Sequence, residues 1–266
     1  MKVVLFCGGQ GMRLRDYSES IPKPMVPIGY RPILWHIMKY YAHFGHTDFI
    51  LALGHKANYI KEYFLNYSEA LSNDFVLSEG GRKLELLSSD IQSWTITCVD
   101  TGLNACVGER LMAVKHLLEG EERFLANYSD GVSDVNINDM VRFAEEHDKV
   151  ACFIGVEPNG TFHVVDSDSD GTVRKIDSVL RSGLRINGGF FVLKQEIFDY
   201  MEPGDELVEA PFRRLIEAEQ LVTYHHDGFW ACMDTFKEKQ ILDDLFDKGE
   251  APWQVWKRED TLIGAR

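Results

Sequence analysis

V-L-F-C-G-G-Q-G-M-R-L-R-D-Y-S-E-S-I-P-K, residues 4–23, sets the expectation for the whole chain. A short apolar run, Val3 to Phe6, predicts a buried strand. Gly8, Gly9 and Gly11 follow at once, then Arg13, then Pro22, Lys23 and Pro24. Glycines after a strand bring backbone N–H groups within hydrogen-bond reach of a phosphate, because no Cβ intervenes. Arg13 can meet that phosphate as a fork and Lys23 as a point charge. A turn with two solvated cations is the plainer alternative, and a glycine cluster alone does not decide between them. Arg13 and the Pro-Lys-Pro turn favour the anion site. Neither common glycine motif is present. Gly11 is followed by Met12 and Arg13, not by the Lys-Ser/Thr of a Walker A loop. Leu14 stands where a dinucleotide fingerprint wants its third glycine.

Outward from this loop, strand and helix patterns alternate. Asp48–Leu53, Thr95–Val99 and Arg123–Asn127 predict strands. Helices are predicted over Ile33–Phe44, where Ile33, Ile37, Tyr40, Tyr41 and Phe44 have helical spacing, and over Asn58–Tyr67 and Glu109–Leu118. This rhythm predicts an α/β fold, a mostly parallel sheet with helices on both faces. Ligands of such sheets bind beyond the carboxyl ends of the strands, where Gly8, Gly54, Asp100 and Asp130 fall. The second half changes character. Val150–Val156, His163–Asp166, Val173–Ile176 and Gly189–Leu193 predict short strands, and Glu209–Glu219 and Thr235–Lys248 predict helices. Ser167-Asp168-Ser169-Asp170-Gly171 reads as a hairpin turn, because it lacks the spaced ligands and distal Glu of a calcium loop. No Gly/Ser/Pro linker interrupts the chain. One domain over residues 1–266 is therefore expected, with halves 1–149 and 150–266.

Composition bounds the function. With 266 residues, 45% of them hydrophobic, the chain can bury one large core. Its 28 basic and 42 acidic side chains leave a net charge of −14. An acidic surface argues against nucleic acid or an anionic membrane as partner. An anionic substrate would need a local basic pocket, which Arg13 and Lys23 can supply. Cys7, Cys98, Cys106, Cys152 and Cys232 show no C-x-x-C spacing and predict buried thiols in a reducing compartment. No apolar run reaches the ~18 residues that span a bilayer. The chain enters a strand without a secretion-signal pattern, which predicts a cytoplasmic location.

Taken together, the residues resemble the sugar-phosphate nucleotidylyltransferases. That signature, G-G-x-G-T/M-R-L followed by x-P-K-P-M/L, stands here as Gly8-Gly9-Gln10-Gly11-Met12-Arg13-Leu14 and Pro22-Lys23-Pro24-Met25. Pro32-Ile33-Leu34-Trp35-His36-Ile37-Met38-Lys39 narrows the resemblance to the glucose-1-phosphate cytidylyltransferase branch. It continues through Asp100-Thr101-Gly102, Tyr128-Ser129-Asp130-Gly131, Ile186-Asn187-Gly188-Gly189 and Gly228-Phe229-Trp230 to Met233-Asp234-Thr235 and Ala251-Pro252-Trp253.

The resemblance implies a Rossmann-like fold of the nucleotide-diphospho-sugar transferase type, with a smaller β subregion on the acceptor side. Residues 1–149 would bind nucleotide and residues 150–266 the acceptor. The implied reaction joins CTP and a sugar 1-phosphate, or a related phosphorylated acceptor, into a CDP-linked product plus pyrophosphate. Mg2+ is the implied cofactor and a homo-oligomer the implied assembly. Arg13, Lys23 and Asp130 are the implied catalytic residues, and Asp130 and Asp234 the implied metal ligands. Alone, Asp130-Gly131 also reads as a plain turn and Asp234 as a helix N-cap. The implied nucleotide site is Phe6, Cys7, Gly8, Gly9, Gln10, Gly11, Met12, Arg13, Lys23, Ala105, Arg110 and Ser129. The implied acceptor site is Asn187, Gly188 and Trp230. Alternatives are the same fold using UTP or dTTP with glucose 1-phosphate, and a nucleotide-sugar-binding protein without turnover.

Some residues depart from the pattern. Gly108-Glu109-Arg110 replaces the usual Gly-Gly-Arg, placing a carboxylate near a polyanion site. Read alone, Arg110 is an exposed cation on a first helical turn. Ser178-Val179-Leu180 stands where the family carries Glu-Lys-Pro, and Gly160-Thr161-Phe162-His163 where it carries Gly-Arg-Phe-Gly. The lysine expected to pair with the acceptor phosphate is gone, so Arg181 or Arg185 is expected to replace it, and glucose 1-phosphate is expected to be a poor acceptor. His36 reads as a packed core histidine, and His225 with His226 as a poor metal pair, since neighbours on a strand face opposite ways.

Overall fold

The computed structural model of the chain describes residues 1–9, 21–158 and 162–257. Seven strands make the central sheet: β1 Val3–Cys7, β2 Asp48–Leu53, β3 Thr95–Asp100, β4 Arg123–Tyr128, β5 Ala151–Val156, β6 Ile186–Lys194 and β7 Leu221–His226. Their spatial order is β7-β5-β6-β4-β1-β2-β3. β1 is parallel to β2 and β4, β2 to β3, and β5 to β7. β6 alone is reversed, antiparallel to both β4 and β5. The sheet is mostly parallel, as expected, and it runs unbroken across both halves through the β4–β6 pairing.

Among the described residues six helices of eight or more residues pack around it: α1 Ile33–His43, α2 Ala57–Leu65, α3 Val107–Val114, α4 Ile137–His147, α5 Ala210–Glu217 and α6 Phe236–Asp247. All of β1 is buried, which requires a strand apolar on both faces. Its side chains divide accordingly. Val3, Leu5 and Cys7 join one core with Leu34 and Met38 of α1, Met140 of α4 and Trp253, while Val4 and Phe6 join another with Leu111 and Val114 of α3 and Leu215 of α5. Helices therefore cover both faces.

Among the described residues four two-stranded ribbons decorate this frame, the shortest pairing Pro27–Ile28 with Arg31–Pro32. Gly131–Ser133 pairs antiparallel with Trp230–Cys232. His163–Ser167 pairs with Val173–Ser178, and Phe75–Ser78 with Lys83–Leu86. The acidic run Ser167–Gly171 is a turn, closed by Asp168 N–H donating to the Thr172 carbonyl at 2.9 Å, with Gly171 at φ +88°. His36 is fully buried, its Nε2 3.1 Å from the Ile28 carbonyl oxygen, and burial pulls its pKa down to about 4, so it is a neutral core residue. Among the described residues, no helix is long and apolar enough to cross a membrane.

Candidate active site

A cleft of about 620 Å³ opens at the carboxyl ends of β1 and β4. Phe6, Gly8, Gly9, Lys23, Ala105, Arg110, Ser129, Asp130 and Asp234 all line it. Gln10, Gly11, Met12 and Arg13 lie outside the described residues. Cys7 does not line the cleft: its side chain is fully buried in the opposite core, where burial pushes the thiol up to about 12. It can serve the cleft through its backbone alone.

Chain neighbours far apart in sequence are brought together by the short ribbon. Pairing of Gly131 with Cys232, and the Met233 N–H donating to the Asp130 carbonyl at 2.9 Å, set Asp130 and Asp234 side by side. Asp234 is not the helix cap. Thr235 caps α6, accepting from Glu238 N–H, and the Glu238 carboxylate accepts from the Asp234 N–H at 2.8 Å. That capping box fixes the Asp234 backbone and leaves its carboxylate on the cleft wall. Lys23 enters from a 3-10 turn, Lys23–Met25, held between two prolines. Its Nζ donates to Asp130 Oδ2 at 2.6 Å and also to Asp234 Oδ1. Burial works against the ammonium, but Asp130, joined by Asp234, holds its pKa above the ordinary lysine range.

Arg110 is not an exposed cation. It is 4% exposed. Its guanidinium donates to Thr101 Oγ1 at 2.7 Å and to the carbonyls of Gly102 at 2.9 Å, Leu53 at 3.1 Å and Gly8 at 3.1 Å. It ties the ends of β1 and β2 to the 101–105 loop. Glycine at position 8 makes room for this guanidinium: a Cβ would stand 2.0 Å from Arg110 Cζ and would displace it. Glu109 finds its reason as well: its carboxylate accepts the Cys106 N–H at 2.9 Å and caps α3. Gly108 lets the next loop close in, since a Cβ would meet the Asp205 carbonyl oxygen at 2.1 Å. This approach delivers Glu206 to the cleft, where its carboxylate accepts from Val107 N–H at 3.2 Å. Sequence reasoning missed Glu206 and Tyr128 as cleft residues. The only signal for Glu206 was its place just after the Gly204-Asp205 turn.

The expected acceptor residues are placed unevenly. Trp230 Nε1 donates to the Gly188 carbonyl at 2.8 Å, and both flank Gly131, next to Asp130. Asn187 and Arg185 line a separate cavity of about 650 Å³ between β5, β7 and α5. Arg185 donates to the Gly155 carbonyl at 3.1 Å and pairs with Asp227. Arg181 is exposed on the 3-10 turn Val179–Arg181. Neither arginine lines the cleft that holds Lys23.

Such a cleft lies where open α/β sheets bind their ligands, beyond the carboxyl ends of parallel strands. Comparison with known proteins narrows the class. A family model described as Nucleotidyl transferase matches residues 2–238, and the chain belongs to the nucleotidyl transferase family. It is 39% identical over 259 residues to "Glucose-1-phosphate cytidylyltransferase" of Salmonella typhi, covering 97% of this chain and 100% of that one. It is 35% identical over 258 residues to "Probable glucose-1-phosphate cytidylyltransferase" of Bacillus subtilis strain 168, covering 96% and 100%. A solved structure, "UTP-bound UGPase" from Acinetobacter baumannii, matches with a TM-score of 0.69 at 17% identity over 98% of each chain, a likeness of fold.

Proposed function

We propose that this nucleotidyltransferase is a magnesium-dependent cytidylyltransferase, joining CTP and a sugar 1-phosphate into a CDP-sugar and pyrophosphate. The observation that carries the chemistry is Lys23 set between Asp130 and Asp234 beside the Gly8-Gly9 backbone. The choice of CTP and of a sugar phosphate rests on the relatives' names over nearly the whole chain.

An oxygen of the acceptor phosphate attacks the α-phosphorus. The new P–O bond forms as the α–β bridge breaks and pyrophosphate leaves. The attacking phosphate is already ionised near neutral pH, so no general base is required. The barrier lies in charge repulsion and alignment, and catalysis is positioning plus cation stabilisation. Gly8 and Gly9 bring backbone close to the phosphates, and Lys23 supplies a positive charge. Asp130 and Asp234 suit a hard divalent cation: they already share one cation, the ammonium, and Mg2+ needs only one or two protein carboxylates. Bound there, Mg2+ would offset the charge of the triphosphate.

Pyrophosphate release, measured with each of four nucleoside triphosphates against a panel of sugar 1-phosphates, tests the reading. kcat/KM for CTP should lead. Faster turnover of UTP or dTTP would overturn the cytidine assignment, and no turnover with any pair would favour a binding protein. A specific observation supports a second reading within the same panel. Val179 replaces the family lysine, and Arg185 is engaged by Asp227. Glucose 1-phosphate would then trail another sugar 1-phosphate.

The chain is further proposed to work as one unit in the cytoplasm and as a homo-oligomer. What supports assembly is the Phe75–Leu86 ribbon, where Phe75 pairs with Leu86 and Leu77 with Leu84, leaving four exposed apolar side chains on one face. Light scattering should return a multiple of 30.4 kDa. Leu77→Lys with Leu84→Lys should lower that mass, and a monomeric wild type would remove the proposal.

A further inference from the structure

Asp130 and Asp234 are held by backbone that leaves little freedom. The Gly131–Cys232 pairing and the α6 capping box fix their positions. Lys23 is fixed in backbone too, by its flanking prolines, but its charge rides on a four-carbon stem that rotates. The backbone of the seat is therefore held, while the charge of its present occupant rides on a longer stem.

A divalent cation at this seat needs the same carboxylate oxygens that Lys23 now occupies. Asp130 and Asp234 would hold the ion, and an ammonium hydrogen-bonded to the same oxygens would face it charge to charge. The two cations exclude each other. A triphosphate changes the balance, because it offers the ammonium a second set of anionic oxygens within the same cleft.

We propose that Lys23 is the resident cation of the metal seat, which leaves only when nucleotide phosphates receive it, so that metal and nucleotide enter together. This rests on the nucleotidyltransferase reading for the identity of the phosphates, but the exchange itself belongs to three side chains. It gives Lys23 two roles in sequence. Without substrate it neutralises two carboxylates that would otherwise repel each other and keeps out stray divalent ions. With substrate it becomes a phosphate contact. A free enzyme of this kind has low metal affinity of its own.

The test uses Mn2+ alone, with no nucleotide, followed by electron paramagnetic resonance of the free ion on the full chain. Lys23→Met keeps the length of the stem and removes the charge. It should bind Mn2+ at least ~10-fold more tightly than wild type, since a unit charge a few ångströms away is removed. Lys23→Gln should do the same, which guards against a packing fault peculiar to methionine. Adding Asp130→Asn to Lys23→Met should abolish the gain, tying it to this seat. Folded variants, checked by thermal melts, that bind Mn2+ no better than wild type would overturn the exchange. So would a gain that survives Asp130→Asn. The readout is independent of turnover: a Mn2+ gain in a chain that releases no pyrophosphate would uphold the exchange and refute the proposed activity.

Discussion

Asp130→Asn is expected to lower kcat about 100-fold or more, the scale seen when one charged group is removed from a preorganised site. The amide is nearly isosteric, so the change is one of charge. Lys23 loses the carboxylate at 2.6 Å that anchors it, and the cation seat loses half its negative charge. Both effects fall on a reaction whose barrier is charge repulsion. The backbone role of Asp130 survives, because its carbonyl still accepts from Met233. The side chain is partly exposed, so the fold should tolerate the change, and the thermal midpoint should move by only a few degrees. Asp234→Asn should behave alike, since Thr235 and Glu238, not the Asp234 side chain, cap α6. The check is steady-state kinetics at saturating Mg2+ beside a thermal melt. Near-normal turnover of either variant would remove that aspartate from the mechanism.

Much of this cleft was legible because its residues sit where a strand ends. A buried apolar run followed by glycines announces β1 and its loop, and Lys23 between two prolines announces a rigid cation. Asp130 and Asp234 are different. They lie far apart in the chain, and only the ribbon of Gly131–Ser133 with Trp230–Cys232 joins them. Strands of three residues carry too little periodicity to be read from sequence. The resemblance, not the pattern, supplied that pair. Helix α4 was missed for a related reason. It fully buries only Ile137, Met140 and Ala144, with Val141 and Phe143 half-buried beside them, and its clearest mark is Asn136, whose side chain accepts from Asn138 and Asp139 N–H. β7 and the reversal of β6 were equally hidden, since direction and register depend on contacts between distant segments. Glu109 looked like a charge out of place. A capping box explains it, and the Cys106-x-x-Glu109 spacing carried that signal.

Arg110→Met is expected to unfold the cleft's floor before it touches the chemistry. Five acceptors meet the Arg110 guanidinium: the carbonyls of Gly8, Leu53, Gly102 and, at 3.5 Å, Leu103, and the Thr101 hydroxyl. No carboxylate is among these partners. Burial pulls its pKa down, yet arginine remains charged, so partial charges on carbonyls must stabilise a full one. Methionine fills much of the volume and donates nothing. The Leu53 and Gly8 carbonyls keep the Thr101 and His55 N–H donors, but the Gly102 and Leu103 carbonyls lose the guanidinium. A group left unpaired out of water costs about 1–3 kcal/mol in the worst case, and relaxation toward the open cleft recovers part. A net loss of about 3 kcal/mol follows, which for a chain of this size lowers the melting midpoint by roughly 6–12 °C. Arg110→Lys should recover only part of it, because one ammonium cannot span the five acceptors that a planar fork reaches. Kinetically, Gly8 and the 101–105 loop would lose their tie, so KM for CTP should rise more than kcat falls. A residue that touched only bound nucleotide would leave the melting midpoint of the free protein unmoved. An unchanged midpoint in Arg110→Met would therefore return this arginine to the role of a substrate contact.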